Sequence, residues 1–137
     1  MKSEAIPKLS VFKTFKTKSE EFTGEAMRQR GIIIHLAIES SPAMKTRTAI
    51  AHKLAEKNGT VWQNIYSGIF RDLDEILLPL GVVEEAGRLP LKRGPKALQE
   101  QGVPYYQLTD GGVLVAASLD EMEKERVKMA TKFFEKN

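Results

Sequence analysis

The dipeptide Asn58-Gly59 divides two stretches of helical apolar periodicity, and no other feature of the chain limits its fold so narrowly. Both residues tolerate left-handed backbone, so a helix that reaches them stops. Thr60 follows at once and can cap the next helix. Upstream, Thr46 can cap a helix to Lys57 whose apolar stripe is Ala49, Ile50 and Leu54. Downstream, at about 100° per residue, Val61, Trp62, Ile65, Ile69, Leu73 and Ile76 gather on one face. Gln63, Asn64, Ser67 and Arg71 project from the opposite face. The spacing therefore predicts two amphipathic helices joined by a tight turn, the second ending near Leu78-Pro79.

The flanks extend this pattern. A first helix is expected from about Thr23 to Ser41, with Met27, Ile33, Ile34, Ala37 and Ile38 on one side. Pro42 ends it, because the residue before proline is pushed out of the α region. Ala43 to Lys45 reads as a short extended link. Val82 to Glu85 and Val103 to Leu108 read as strands. Ala86 to Gly102 between them, with its glycines, prolines and basic residues, reads as a long hairpin tip. Thr109 can cap a last helix from Asp110 to about Glu135, despite its helix-poor Gly111-Gly112 start. The expected class is mainly α with a small β-hairpin, an α+β fold. Its divisions are a basic arm over 1–22, a central domain over 23–109 and a C-terminal helix over 110–137.

Charge points in the same direction. The net charge is only +3, but residues 1–18 hold five lysines against one glutamate. Residues 87–107 hold Arg88, Lys92, Arg93 and Lys96 against Glu100 alone. Separated basic blocks can gather on one phosphate-facing surface; the bland reading is solvated surface. The arm also carries Val11, Phe12 and Phe15, so it is either disordered or docked through them.

Several chemistries find no support. The chain has no cysteine, which excludes disulfides, thiol catalysis and Cys-ligated metals. Its two histidines, His35 and His52, lack a nucleophile partner, and Asp72, Asp74 and Glu75 point apart on a helix. No enzyme, metal site or cofactor is expected. No apolar run approaches the roughly 18 residues of a membrane span, and Met1 to Ser10 lacks a signal-peptide core. The expected location is cytoplasmic, associated with the nucleoid.

The segment "TAIAHKLAEKNGTVWQNIYSGIFRDLDEILLPLGVVEE" resembles the helix-turn-helix of winged-helix regulators. "YYQLTDGGVLVAAS" is similar to the strand, corner and final helix that close such domains, and "RLPLKRGPK" to a basic wing tip. The likeness is to PadR-like and MarR-like transcription regulators over about residues 27–118. The chain departs from them by about one extra helical turn at "DEILLP" and a longer wing through "KALQEQG".

The resemblance implies a transcription regulator that reads double-stranded DNA. Thr60, Gln63, Asn64 and Ser67 would approach base edges or phosphates, and Arg71 a phosphate. Lys45 and Arg47 would meet the backbone at the start of the second helix, and Lys92, Arg93 and Lys96 of the wing would hold phosphates or enter the minor groove. The alternatives are a non-regulatory DNA-binding factor of replication, partition or chromatin, and a winged-helix protein-interaction module. No effector is assigned.

The last helix would span roughly 39 Å at about 1.5 Å per residue, too long for its domain to cover. Val115, Leu119, Met122, Met129 and Phe133 recur near heptad spacing, with Arg126 among them. This stripe predicts a homodimer, with Arg126 pairing to Glu123 or Glu125 across the joint. The competing reading packs the stripe on the chain's own first helix or arm.

Overall fold

The computed structural model describes residues 9–11, 24–59, 61–90, 94 and 96–136. The side chains of Asn58, Trp62, Asn64, Ala97, Leu98, Lys132, Phe133 and Lys136 lie outside that description. The protein is mostly helical with a two-stranded antiparallel hairpin, an α+β class. Among the described residues no helix is long and apolar enough to cross a membrane.

Helix α1 (Gly24–Ile38) is the spine of the core. The run Ile32-Ile33-Ile34-His35-Leu36 is apolar on several sides, so periodicity alone leaves its inward face open. Ile32, Ile33 and Leu36 turn inward with Gln29, Arg30 and His35, whereas Met27 and Ile38 are 51% and 58% exposed. This corrects the predicted stripe, which placed Met27 and Ile38 on the packed side. Buried polar partners select the face: Gln29 Oε1 accepts from the Ser10 amide at 2.8 Å, and Arg30 donates to the Val11 carbonyl, also at 2.8 Å. Val11 is itself fully buried, so residues 9–11 dock on the body.

After a 3-10 turn at Pro42–Met44, Thr46 caps α2 (Arg47–Asn58), its side chain accepting from the Ala49 amide at 3.2 Å. Gly59 closes α2 in the left-handed conformation, φ 64°. Helix α3 (Trp62–Arg71) has Val61 at its N-cap position, and Thr60 lies outside the described residues. The expected extra turn is present, but it is π-wound over Asp72–Leu77. The wider winding keeps Ile69, Leu73 and Leu77 all fully buried and takes Asp72 inside with them. There Asp72 pairs with Arg28 of α1.

Strand β1 (Val83–Leu89) pairs antiparallel with β2 (Val103–Leu108), from Val83 opposite Leu108 to Leu89 opposite Val103. The first strand runs past its predicted end because a bulge between Glu85 and Gly87 absorbs one residue and pairing resumes. Tyr105 lies against Gly87, its hydroxyl 2.9 Å from where a Cβ would stand. The hairpin tip is correspondingly shorter and contains a helix, α4 (Lys96–Gln101). The link before α2 joins the sheet edge: Thr46 bridges Tyr105, and the Tyr106 amide donates to the Lys45 carbonyl at 3.1 Å.

The single long C-terminal helix is not formed. Helix α5 (Asp110–Ala117) ends at Ser118, Leu119 is extended at φ −82° and ψ 139°, and a 3-10 turn (Asp120–Glu125) leads into α6 (Arg126–Lys136). The break lets Leu119 and Met122 enter the core at 0% and 1% exposure, which a straight helix leaving the body would not allow. Arg126 stabilises the break by donating to the Ala117 carbonyl at 2.6 Å and the Leu119 carbonyl at 3.3 Å.

Candidate nucleic-acid interface

The outer face of α3 carries Gln63, Ser67 and Arg71, all exposed at successive turns. Its inner face holds Ile69 in the core, with Ile65 and Tyr66 packed alongside. The amphipathic spacing is the cause: apolar residues draw one side inward and leave the polar side outward. The three side chains thus form one outward row. The side chain of Asn64 and the whole of Thr60, Lys92 and Arg93 lie outside the described residues. Lys96 is exposed at the first turn of α4, in the hairpin tip.

Arg47 departs from its expected role. Its guanidinium pairs with Asp74 and lies 5.0 Å from the Phe70 ring centroid and 5.1 Å from that of Tyr106. An arginine held between two aromatic faces and a carboxylate is a joint between α2, the π turn and the hairpin. It is committed within the fold, where the sequence predicts a phosphate contact. Burial raises the Tyr106 phenol above its ordinary pKa, with the Arg47 charge opposing. A second tie between α2 and α3 is the 3.3 Å contact of the Thr48 and Tyr66 hydroxyls. Lys45 is half-buried and borders a cavity beside the end of α1, together with Lys128 of α6.

No protein-family model, curated protein or solved structure matches this chain. Among the described residues no group of His, Asp and Glu converges as metal ligands would.

The expected dimer stripe is largely used within the chain. Leu119 and Met122 are core residues, and Val115 and Met129 are partly buried against that core. Arg126 binds carbonyls of its own chain, where the sequence predicts an acidic partner across a joint. The Phe133 side chain lies outside the described residues. Among the described residues the large apolar side chains exposed on α6 are Val127 and Phe134, at 79% and 75%.

Sequence reasoning missed the buried charges. Arg28–Asp72 joins α1 to the π turn, and Arg30–Glu121 joins α1 to the C-terminal break. Among the described partners, Arg30 stands four residues after Ala26 and three before Ile33 on the inward face, which is the one local sign of its burial.

His35 ties α1 to the link before α2. It is buried, and its Nε2 contacts the Met44 carbonyl at 2.6 Å, as a donor in the tautomer that carries the proton there. Burial lowers its pKa below the ordinary 6.5, although the Met44 bond works the other way. The fold thus prefers neutral His35, and an unfolded chain takes up the proton first. Stability should be full above about pH 6.5 and decline as pH falls through the lower folded-state value. Urea midpoints measured from pH 7.5 to 5.5 should fall for the native chain and change less for His35→Gln. Equal slopes would remove His35 as the titrating group.

Proposed function

We propose that the chain is a winged helix-turn-helix protein that binds duplex DNA and regulates transcription, with α3 as the reading helix and the hairpin as the wing. The observation that carries this reading is the outward row of Gln63, Ser67 and Arg71 on a helix whose other face is anchored in the core. A rigid helix with exposed amide, hydroxyl and guanidinium groups suits a major groove, where glutamine can pair bidentately with adenine. The Arg47 joint and the Thr48–Tyr66 contact support the reading because they fix α3 against α2. Such rigidity is what a base-reading helix needs. Lys96, with Lys92 and Arg93 nearby in sequence, supplies positive charge at the hairpin tip for phosphates.

A homodimer accompanies this proposal. Its joint is reassigned to the outward edge of α6, at Val127 and Phe134, since Leu119 and Met122 serve the chain's own core. Two copies would read two half-sites about one helical turn apart, or a multiple of that.

Selection of binding sites from random duplex DNA tests the reading directly. A paired, related half-site should emerge, and the protein should sediment as a dimer at micromolar concentration. Gln63→Ala should weaken the selected site by about 1–3 kcal/mol and leave random DNA nearly unchanged. Replacing Lys92, Arg93 and Lys96 by alanine should weaken all duplexes and flatten the log K against log salt slope by up to about three units. No enriched sequence, or an unchanged salt slope, would overturn base reading or the wing contact respectively.

A further inference from the structure

Helix α6 is apolar on two opposite sides. At about 100° per residue Met129 falls nearly opposite Val127, and Met129 is partly buried against the chain's own core. Val127, Ala130, Thr131 and Phe134 share the other side, and all four are exposed. Val127 and Phe134 stand about 10 Å apart along the axis, with the two small side chains between them. Thr131 donates its hydroxyl to the Val127 carbonyl at 2.9 Å, so its polar group is already satisfied within the helix. A row that is large at both ends and small in the middle admits a second helix at close range. It is also self-complementary, since Phe134 of each copy can cover Val127 of the other when the helices run in opposite directions.

The charges beside the row select that direction. Lys128 and Glu135 lie on one flank and Arg126 lies on the other, all three exposed. Neither Lys128 nor Glu135 takes part in an ion pair among the described residues. When two copies of a helix pack antiparallel about a twofold axis, each flank faces the same flank of its partner. Lys128 then meets the partner's Glu135, and Glu135 meets the partner's Lys128, so opposite charges pair twice. In a parallel pair each flank faces the other flank at equal height. Lys128 would then approach the partner's Arg126, like charge against like.

We propose that α6 packs antiparallel on α6 of a second copy, with the twofold axis between Ala130 and Thr131, Val127 against the partner's Phe134, and Lys128 against the partner's Glu135. The pairing rests on the dimer of the proposed reading and gives it an orientation and a register; it does not rest on DNA binding.

The chain has no cysteine of its own, so introduced cysteines report the geometry directly. In the full chain under mild oxidation, Ala130→Cys and Thr131→Cys should each form a disulfide-linked dimer, because each lies beside the axis and faces its own copy. Val127→Cys alone and Phe134→Cys alone should not, since about 10 Å along the axis separates each from its own copy, beyond the reach of a disulfide. Co-expressed, these two variants should cross-link to one another. Lys128→Glu should raise the dimer dissociation constant about tenfold by sedimentation, and adding Glu135→Lys should restore it. Every substituted residue is exposed, and circular dichroism checks that each variant is folded. Should a cysteine variant not fold, the charge reversal and its rescue still decide the matter. Val127→Cys or Phe134→Cys linking to itself without the mixed product would show parallel helices, overturning the pairing while leaving the dimer. A dimer in which none of these positions cross-links would also overturn it, by placing the joint elsewhere. A native chain that sediments as a monomer at micromolar concentration would overturn the pairing together with the dimer on which it rests.

Discussion

Gly112→Ala should be among the most destabilising single-methyl additions in this protein, and Gly111→Ala beside it should be neutral or stabilising. A Cβ at residue 112 would stand 2.0 Å from the Val82 carbonyl oxygen and 3.1 Å from the Leu108 Cβ. The first of these is backbone, so no side-chain rotation relieves it. The same carbonyl accepts from the Thr109 amide at 3.1 Å, and the Thr109 hydroxyl bonds the Gly81 carbonyl while accepting from the Gly112 amide at 3.0 Å. Moving α5 away from Val82 would therefore open the cap and the start of the hairpin together. The cost should be at least about 3 kcal/mol, the upper range of overpacking. In a domain of this size that lowers the melting temperature by about 10 °C. A Cβ at residue 111 meets its nearest atoms at 3.6 and 3.8 Å, which is ordinary contact. Gly111→Ala should gain up to about 1 kcal/mol through helix propensity. Thermal unfolding of both variants checks the pair, and similar melting temperatures would mean that the corner is not close-packed.

That corner also marks how far local reading reaches. Thr46, Gly59 and Thr109 announce their elements because capping is decided by one residue and its next three or four neighbours. The strand from Val103 to Leu108 is legible for the same reason, in its valine and tyrosines. Gly111-Gly112 reads locally as a weak helix start. Its actual reason is the Val82 carbonyl, thirty residues earlier in the chain and invisible to any window. The end of β1 was similarly hidden, since pairing resumes past the bulge through Gly87 opposite Tyr105, a partner distant in sequence.

For the candidate site, the outward row on α3 was legible and the fate of Arg47 was not. Amphipathic spacing selects Gln63, Ser67 and Arg71 as surface from the helix alone. A basic residue at the start of α2 looks available until Phe70, Asp74 and Tyr106 are brought around it by three different elements. The heptad-like stripe failed for a related reason. Spacing identifies Leu119, Met122 and Met129 as apolar, but the extended Leu119 decides that they fold back on α1 and its neighbours.

Loss of Glu121 should destabilise the chain more than loss of its partner Arg30, although Arg30 is the larger residue. Arg30 is 2% exposed and donates to both Glu121 oxygens and to the Val11 carbonyl, while the Glu121 side chain is 37% exposed. Glu121→Ala removes the carboxylate that pairs with a buried guanidinium, whose charge cannot readily reach water. Breaking a wholly buried pair costs about 3–5 kcal/mol, and the partial exposure of Glu121 lowers the expectation to about 2–4 kcal/mol. Arg30→Met instead fills similar space without charge and leaves Glu121 at the surface to be hydrated. What it loses is the donor to Val11, worth about 1–3 kcal/mol if that carbonyl stays dry. Adding Arg30→Met to Glu121→Ala should then recover part of the stability lost, so the double variant should be more stable than Glu121→Ala alone. Acid should act as Glu121→Ala does. The Arg30 hydrogen bonds hold the Glu121 carboxyl below its ordinary pKa of 4.5, against a smaller opposing effect of burial. Its contribution is present above that value and is lost as pH falls through the lower folded-state value. Urea midpoints of the native chain, the two single variants and the double variant, taken at pH 7 and pH 4, measure both effects. A double variant less stable than Glu121→Ala at pH 7 would show that Arg30 is not stranded by the loss of its partner.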